Sequence, residues 1–536
     1  MSQKNFAITP SVSISRSKFK RPSQHKTSFR LGDIVPIYLD MDILPGDTVS
    51  MDLASLVRMS TPIAPIMDNI HIDYYAFFVP NRLVWDKWKQ FMGENETSYG
   101  AASEPTYPTV DITSNNDFGD PIYNNLLGDY LGLPCEVSGE SGLLVSALPA
   151  RAYALIYNEW FRDQNIISPL VISKDSSSGT FVNDSSDNAY ASNLLKAAKD
   201  SDYFTRALPY AQKGAPVSLP LGTLAPLTVG SQYQIASGTS GYALLSGVDI
   251  NNGGSPVATR VDRASGSSSN LSTLYADLST ATAATINQLR FAFQYQKFLE
   301  KDALYGTRYW EILKGHFGIT APDASLQRPE LLGHWRQHVN VDQVLSTAGY
   351  AASSSTTVGA PGANSVTGGK TSMFTKSFVE HGILMILAVA RHDQTYGQGV
   401  NRMWSRTHRT DFYFPVFANL GAQEVKTKEL YAQGLSADNG VFGYQEAWAE
   451  YRYKPSIVSG LLNPARAASL GFWTLANNFS EKPTLSQSFI EQDRGNLSRA
   501  LVTGENGPDF IADFFFDATY VRPMPMYSIP GLIDHH

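Results

Sequence analysis

Cysteine is almost missing from this chain: Cys135 stands alone among 536 residues. That excludes an intramolecular disulfide framework and any cysteine-based zinc site, and it suits a reducing compartment or indifference to redox. Long apolar runs are missing too. The longest, from Ile383 to Ala390, is far too short to span a bilayer, so no membrane insertion is expected. The N-terminus is polar and lacks the apolar stretch of a secretory signal. Charge is sparse at 17%, against 43% hydrophobic and 12% aromatic residues, which excludes disorder as the default state. Together with 41 Gly and 29 Pro, this composition favours a β-rich body joined by many long loops.

Acid is absent from the first 32 residues. They carry Lys4, Arg16, Lys18, Lys20, Arg21, Lys26 and Arg30, a charge of +7, inside a chain whose net charge is −7. The remainder therefore holds 35 bases against 49 acids. A basic, Ser-rich arm on a mildly acidic body is the pattern of a tail that touches a polyanion, and these seven residues are the candidate nucleic-acid-binding set. A solvated tail of no particular function has the same composition.

What is present alternates. Ile37, Leu39, Met41 and Ile43 face one way while Tyr38, Asp40 and Asp42 face the other. Pro45-Gly46-Asp47 is a turn, and Val49, Met51 and Leu53 begin a second strand. The stretch from Ile70 to Val79 has one apolar face, and a second that starts polar (His71, Asp73) and turns apolar (Tyr75, Phe77, Val79). It predicts a strand at the core's edge where it begins and buried on both faces where it ends, stopped by Pro80. Val84, Trp88 and Phe91 then recur at helical spacing, as do Tyr153, Ile156, Tyr157, Trp160 and Phe161 in a helix over 151–165. Residues 286–302 predict another helix with a wide buried face, and a short one falls between Leu304 and His316. The continuously apolar Ile383 to Val389 predicts a strand covered on both sides. Further β-like segments lie at 411–417 and 451–453, and Phe510, Ala512, Phe514, Phe516, Ala518 and Tyr520 close the chain in near-perfect alternation. Strands at both ends suit a sandwich whose first and last strands meet. There is no internal repeat.

Residues 173–285 are Ser/Gly/Asn-rich and too long for a connecting loop, so they are expected to form an inserted excursion, with a surface protrusion at about 215–280. The domain reading is thus an arm over 1–32, a first part of the body over 33–172, the excursion over 173–285, and the rest of the body over 286–536.

No reaction centre assembles. His334 and His338 with Glu330 would make a metal site on a helix, but Pro329 and Gly333 oppose that helix, and surface histidines are the plainer reading. Gly368-Gly369-Lys370-Thr371 resembles a phosphate loop without its first glycine, inside a low-complexity tract over 353–371. Asp117-Phe118-Gly119 has no kinase companions. Asp40 and Asp42 read as solvated carboxylates rather than calcium ligands. No Gly-x-Ser-x-Gly elbow occurs, and Cys135 is far in sequence from any histidine. Neither a cofactor nor a metal is expected, and an enzyme is not.

Several blocks in fixed order carry a resemblance. They are Phe77-Phe78-Val79-Pro80-Asn81-Arg82, Pro209-Tyr210-Ala211-Gln212-Lys213-Gly214, Leu326-Gln327-Arg328-Pro329-Glu330, Arg402-Met403-Trp404-Ser405-Arg406, and the dense run from Gly443 to Pro455. With them the chain resembles the major capsid proteins of the Microviridae, small single-stranded-DNA bacteriophages, and the gokushovirus branch in particular. The resemblance spans nearly the whole chain except about 215–280 and 350–372. It implies a mainly β fold: an eight-stranded antiparallel jelly-roll β-sandwich with long inserted loops and a few helices. It also implies self-assembly into a T=1 icosahedral virion around a circular single-stranded DNA genome, with the insertion protruding at three-fold axes. Implied partners are further copies of the chain, an internal scaffolding protein, a minor pilot protein, a small basic DNA-binding protein and a host surface receptor, with assembly in the host bacterial cytoplasm. A glycan-binding or glycan-hydrolysing β-sandwich and a receptor-binding adhesin are the competing functions; the first needs a carboxylate pair in a cleft. On the arm reading, deleting 1–30 lowers packaged DNA and leaves the body folded.

Overall fold

The computed structural model describes residues 14–94, 104–112, 126–134, 143–180, 193–217, 286–347, 358–359, 361–505 and 507–527, together with five short strands between 227 and 276. Two sheets organise the body. Their strands are β1 (Ser17–Lys20), β2 (Ser23–Phe29), β3 (Ile34–Ile43), β4 (Thr48–Met59), β5 (Ile70–Pro80), β6 (Glu330–His338), β7 (Thr367–Ser377), β8 (Gly382–His392) and β9 (Phe510–Arg522). The first sheet runs β1/β2–β9–β4–β7 and the second β3–β8–β5–β6, with every neighbouring pair antiparallel. Because β1 and β2 follow each other along one side of β9, they count as one interrupted strand. Eight strands shared four and four between two sheets in this order are the connectivity of a jelly roll.

The chain ends meet, as the alternation suggests, but the N-terminal strand comes from the expected arm. Ser17 lies opposite Arg522 and Phe29 opposite Phe510. The arm reading therefore needs correcting over Ser17–Phe29: these residues are sheet. Deleting 1–30 would strip a strand and bare the edge of β9.

Side chains from both sheets fill the space between them. Tyr74 of β5 stacks on Trp335 at 5.0 Å and meets Phe514 of β9 edge-on at 5.8 Å. Ser55 of β4 and Tyr74 both donate to Gln337 Oε1, at 2.7 and 2.9 Å, so the polar groups buried there share one acceptor. Where the edge strands β6 and β7 cross, a Cβ on Gly333 would stand 2.2 Å from the Met373 carbonyl oxygen. Only glycine permits that approach.

The second sheet is covered on its far face as well. Helix α1 (Leu148–Ile156) and the π-turn after it, Tyr157–Phe161, pack against it, with Phe161 edge-on to Tyr75 at 5.3 Å and Trp160 at 5.5 Å from Phe77. Tyr153 donates to the Ile34 carbonyl at 2.8 Å. The buried Arg151 donates to three carbonyls, of Val84, Asp175 and Ser177, and fastens the helix to the chain leaving β5. All of β8 is consequently buried, as its unbroken apolar run requires. His71 and Asp73 are equally buried, so the polar start of β5 lies inside the molecule rather than at an edge.

Other expectations change. Arg409–Asp411 and Pro415–Phe417 form 3₁₀ turns and Ala449–Arg452 a helical turn where strands over 411–417 and 451–453 are expected. Gly368 to Thr371 lie within β7, not in a loop. Residues 212–302 cluster as a compact unit of their own. The excursion thus starts later than Ser173, since Leu194 and Ala197 belong to the main core. In this unit Tyr233–Ser237 pairs with Gly241–Leu244 and with Arg260–Arg263. Helix α2 (Ile286–Tyr305) has one buried residue, Ala303, whereas Ile286, Phe291 and Phe293 are more than 60% exposed. Its apolar stripes exist, but among the described residues they lack the cover expected of them. Phe291, Tyr295 and Phe298 stack on one another along the helix instead. Asp117-Phe118-Gly119 and Cys135 lie outside the described residues.

Candidate nucleic-acid interface

Strand pairing decides what the N-terminal cations can do. On β1 and β2 the side chains alternate, so Phe19 and Phe29 turn toward the core while Lys18, Lys20, Gln24 and Lys26 point from the opposite face of the first sheet. That face continues across β9 and β4 with Ile511, Asp513, Phe515 and Asp517, then Asp52, Leu56 and Arg58, and reaches Lys370 on β7. Phe515, Ile511 and Leu56 are 44 to 55% exposed. Gln24 donates to both Asp513 oxygens at 2.7 Å, and Lys370 lies 3.6 Å from Asp52. The result is a bare sheet face with lysines toward one edge and an exposed ring at its centre.

The other predicted cations are placed differently. Arg21 donates to the buried Asp40 at 2.8 Å and lies over the Tyr520 ring, and Arg30 reaches the Gly507 carbonyl. Arg16 is exposed, and Lys4 lies outside the described residues. Asp40 is not a solvated carboxylate: it also accepts from Tyr520 Oη at 2.6 Å and is 5% exposed. Of the seven predicted residues, Lys18, Lys20 and Lys26 share the open face and Arg21 serves the fold. The alternation of 510–522 holds the signal for Phe515, a large apolar residue in the outward phase. Arg58 and Lys370 came from strands whose partnership the sequence does not show.

The densest charge lies elsewhere, around the buried Asp73, on β5, β6 and β8. Asp73 accepts two hydrogen bonds from Arg336, at 2.7 and 2.9 Å, and one from Arg391 at 2.8 Å, with His334 at 3.2 Å. Burial pushes its carboxyl up, but the Arg336 hydrogen bonds and the two guanidinium charges outweigh burial and hold it below the usual range. Asp200 closes the group 3.0 Å from His71 Nε2 and 3.3 Å from Arg336. Burial acts against its ionisation too, and His71 with the arginines brings it down to about 2. His71, Asp200 and Asp393 offer ligand atoms within 4.8 Å of one another. Two guanidiniums already balance Asp73 and Asp200, so a divalent cation there would meet repulsion. His334 and His338 stand on a strand, and Glu330 is engaged by Lys376 at 2.6 Å, so that trio forms no ligand set.

One cleft does hold two carboxylates, Glu429 and Glu450, walled by Tyr203, Phe204, Tyr396 and Tyr453. Arg402 sits between them, 3.8 Å from Glu429 and 3.7 Å from Glu450. The cavity of about 60 Å³ holds a few waters and no sugar ring. Among the described residues no helix is long and apolar enough to cross a membrane.

A double sheet with one open face and an aromatic helix exposed among the described residues carries surfaces through which a subunit meets other molecules. Comparison with known proteins agrees: the chain belongs to the phage capsid protein (F protein) family, whose pattern matches residues 7–532. It is 42% identical to the capsid protein VP1 of Bdellovibrio phage phiMH2K, over 99% of this chain and 98% of that one. It is 38% identical to capsid protein VP1 of Spiroplasma virus 4 and 37% identical to that of Chlamydia phage 1, each over 98% of this chain and 97% of the relative. These relatives are Microviridae, and the chain is a major capsid protein, a component of the virion.

Proposed function

We propose that this subunit tiles a T=1 icosahedral shell around a circular single-stranded DNA genome and acts without catalysis. Similarity to capsid proteins from end to end carries this reading. The bare first-sheet face supports it physically: Lys18, Lys20 and Lys26 are placed to neutralise phosphates, and Phe515 offers a platform for an unpaired base. The exposed stripes of α2 supply the apolar area that contacts between copies consume. The segment at about 215–280 is the protrusion at the three-fold axes and the site of host-receptor contact. Assembly proceeds in the host bacterial cytoplasm with an internal scaffolding protein, and a pilot protein and a small basic DNA-binding protein join the particle.

Electron microscopy of the expressed protein with its scaffolding partner tests this reading. Closed shells of uniform size that protect single-stranded DNA from nuclease are expected. A monomer that never closes into shells overturns it.

A further inference from the structure

The long connection between β8 and β9 contains a second basic site, unrelated to the N-terminal strand. A cavity of about 310 Å³ is lined by Arg402, Arg406, His408, Lys426 and Lys428, with the hydroxyls of Ser405, Thr407 and Thr410. Its walls are built. The Asp411 carboxylate accepts from the backbone N–H groups of Thr407 and His408, at 2.9 and 2.8 Å, and closes the 407–411 turn. Asn401 accepts from Met403 N–H at 3.1 Å and starts the turn at Arg402–Ser405. Arg402 donates to the Glu424 carbonyl at 2.8 Å, and Arg406 lies 4.4 Å over the Tyr451 ring and 3.4 Å from Glu450.

Three observations point to an anion that brings rings with it. Arg406 Nε is buried and has no hydrogen-bond partner. Lys426 and Lys428 have no carboxylate at ion-pair distance among the described residues, although Asp411 and Glu429 line the same cavity. Trp404, Phe412 and Tyr413, from the same segment, are 76, 49 and 43% exposed. Fixed guanidiniums, mobile ammoniums and hydroxyls recognise phosphate, and exposed rings beside them recognise unstacked bases.

We infer that this cavity binds a backbone phosphate of single-stranded nucleic acid, with neighbouring bases stacked on the exposed rings of residues 404–413. The inference rests on the genome-contact reading above and assigns that contact a second, independent site.

The test uses full-length protein and a fluorescent 20-nucleotide polythymidine, with Kd measured across salt concentrations. Each phosphate contact on a single strand contributes about 0.7 to the slope of log K against log salt. Lys426→Gln/Lys428→Gln should therefore lower the slope by about 0.7 at an unchanged Tm, and ultraviolet crosslinks should map to peptides from 403–417. An unchanged slope in that variant, beside a reduced slope in Lys18→Gln/Lys20→Gln/Lys26→Gln, overturns the cavity and leaves the genome-facing sheet standing. Absence of any binding by the unsubstituted protein overturns both. Inorganic phosphate competing as well as the oligonucleotide marks a free-ion site and overturns the inference. So does a variant that binds DNA normally but no longer assembles, which would mark a contact between copies.

Discussion

The two sheets of the sandwich share one core, yet one is covered twice and the other once. Helix α1 and its π-turn lie over the second sheet, so β8 is buried along its whole length and β5 almost so. The first sheet turns Phe514 and Phe516 into the core and leaves Phe515 outside with three lysines. Coverage explains the chemistry of each. Charges on the covered sheet must be neutralised within the chain, as Asp73 is by Arg336 and Arg391. On the bare face Lys370 lies beside Asp52 and Gln24 holds Asp513, while Lys18, Lys20 and Lys26 are left for something else to meet.

The largest effect is expected where coverage is complete. Asp73→Ala removes the buried carboxylate that Arg336 and Arg391 share, leaves them only Asp200, and should cost about 3–5 kcal/mol, read as lost soluble yield or a collapsed denaturation midpoint. A loss below about 1 kcal/mol would mean that water reaches the cluster. Next comes a pair on one strand. Phe514→Ala should cost about 3–5 kcal/mol, while Phe515→Ala, one residue along and on the bare face, should cost under about 1 kcal/mol. Equal losses in urea unfolding would show that the first sheet is covered after all.

A smaller effect follows from pH. His392 ends β8 fully buried, and burial holds its imidazole down to about 4 from an ordinary 6.5, against a partly compensating bond to the Asp393 carbonyl. Between those values the unfolded chain binds the proton and the folded chain does not, so stability falls as pH drops through this window. At pH 5 the loss is about 2 kcal/mol, and His392→Gln should flatten that part of the profile of Tm against pH. Smallest of all, Lys18→Gln/Lys20→Gln/Lys26→Gln should move stability by less than about 0.5 kcal/mol. The same variant should lower the salt slope for single-stranded DNA by about 2. A large Tm shift would assign these lysines to the fold.

The sequence showed the strands wherever burial repeats locally. Alternation over 510–520 and the unbroken run at 383–389 each reported how many faces would be covered, and both strands are there. It failed where a pattern needs a partner to be read. The stripes of α2 indicated burial without saying against what, and the described residues leave Ile286, Phe291 and Phe293 exposed. The arm over 1–32 looked like a tail because Lys18, Lys20 and Lys26 dominate it, while Phe19 and Phe29, its inward residues, are too few to announce a strand. Residues 402–428 held Trp404 among five nearby cations, yet only folding gathers Arg406 and Lys428 around one cavity.

Composition and period alone determined a β-rich body with a basic beginning, because side-chain alternation is a property of neighbouring residues. Only the tertiary structure decided which charges cancel and which stay open. Asp73 meets Arg336 and Arg391 across 263 and 318 residues, and no local pattern records a pairing made that far along the chain.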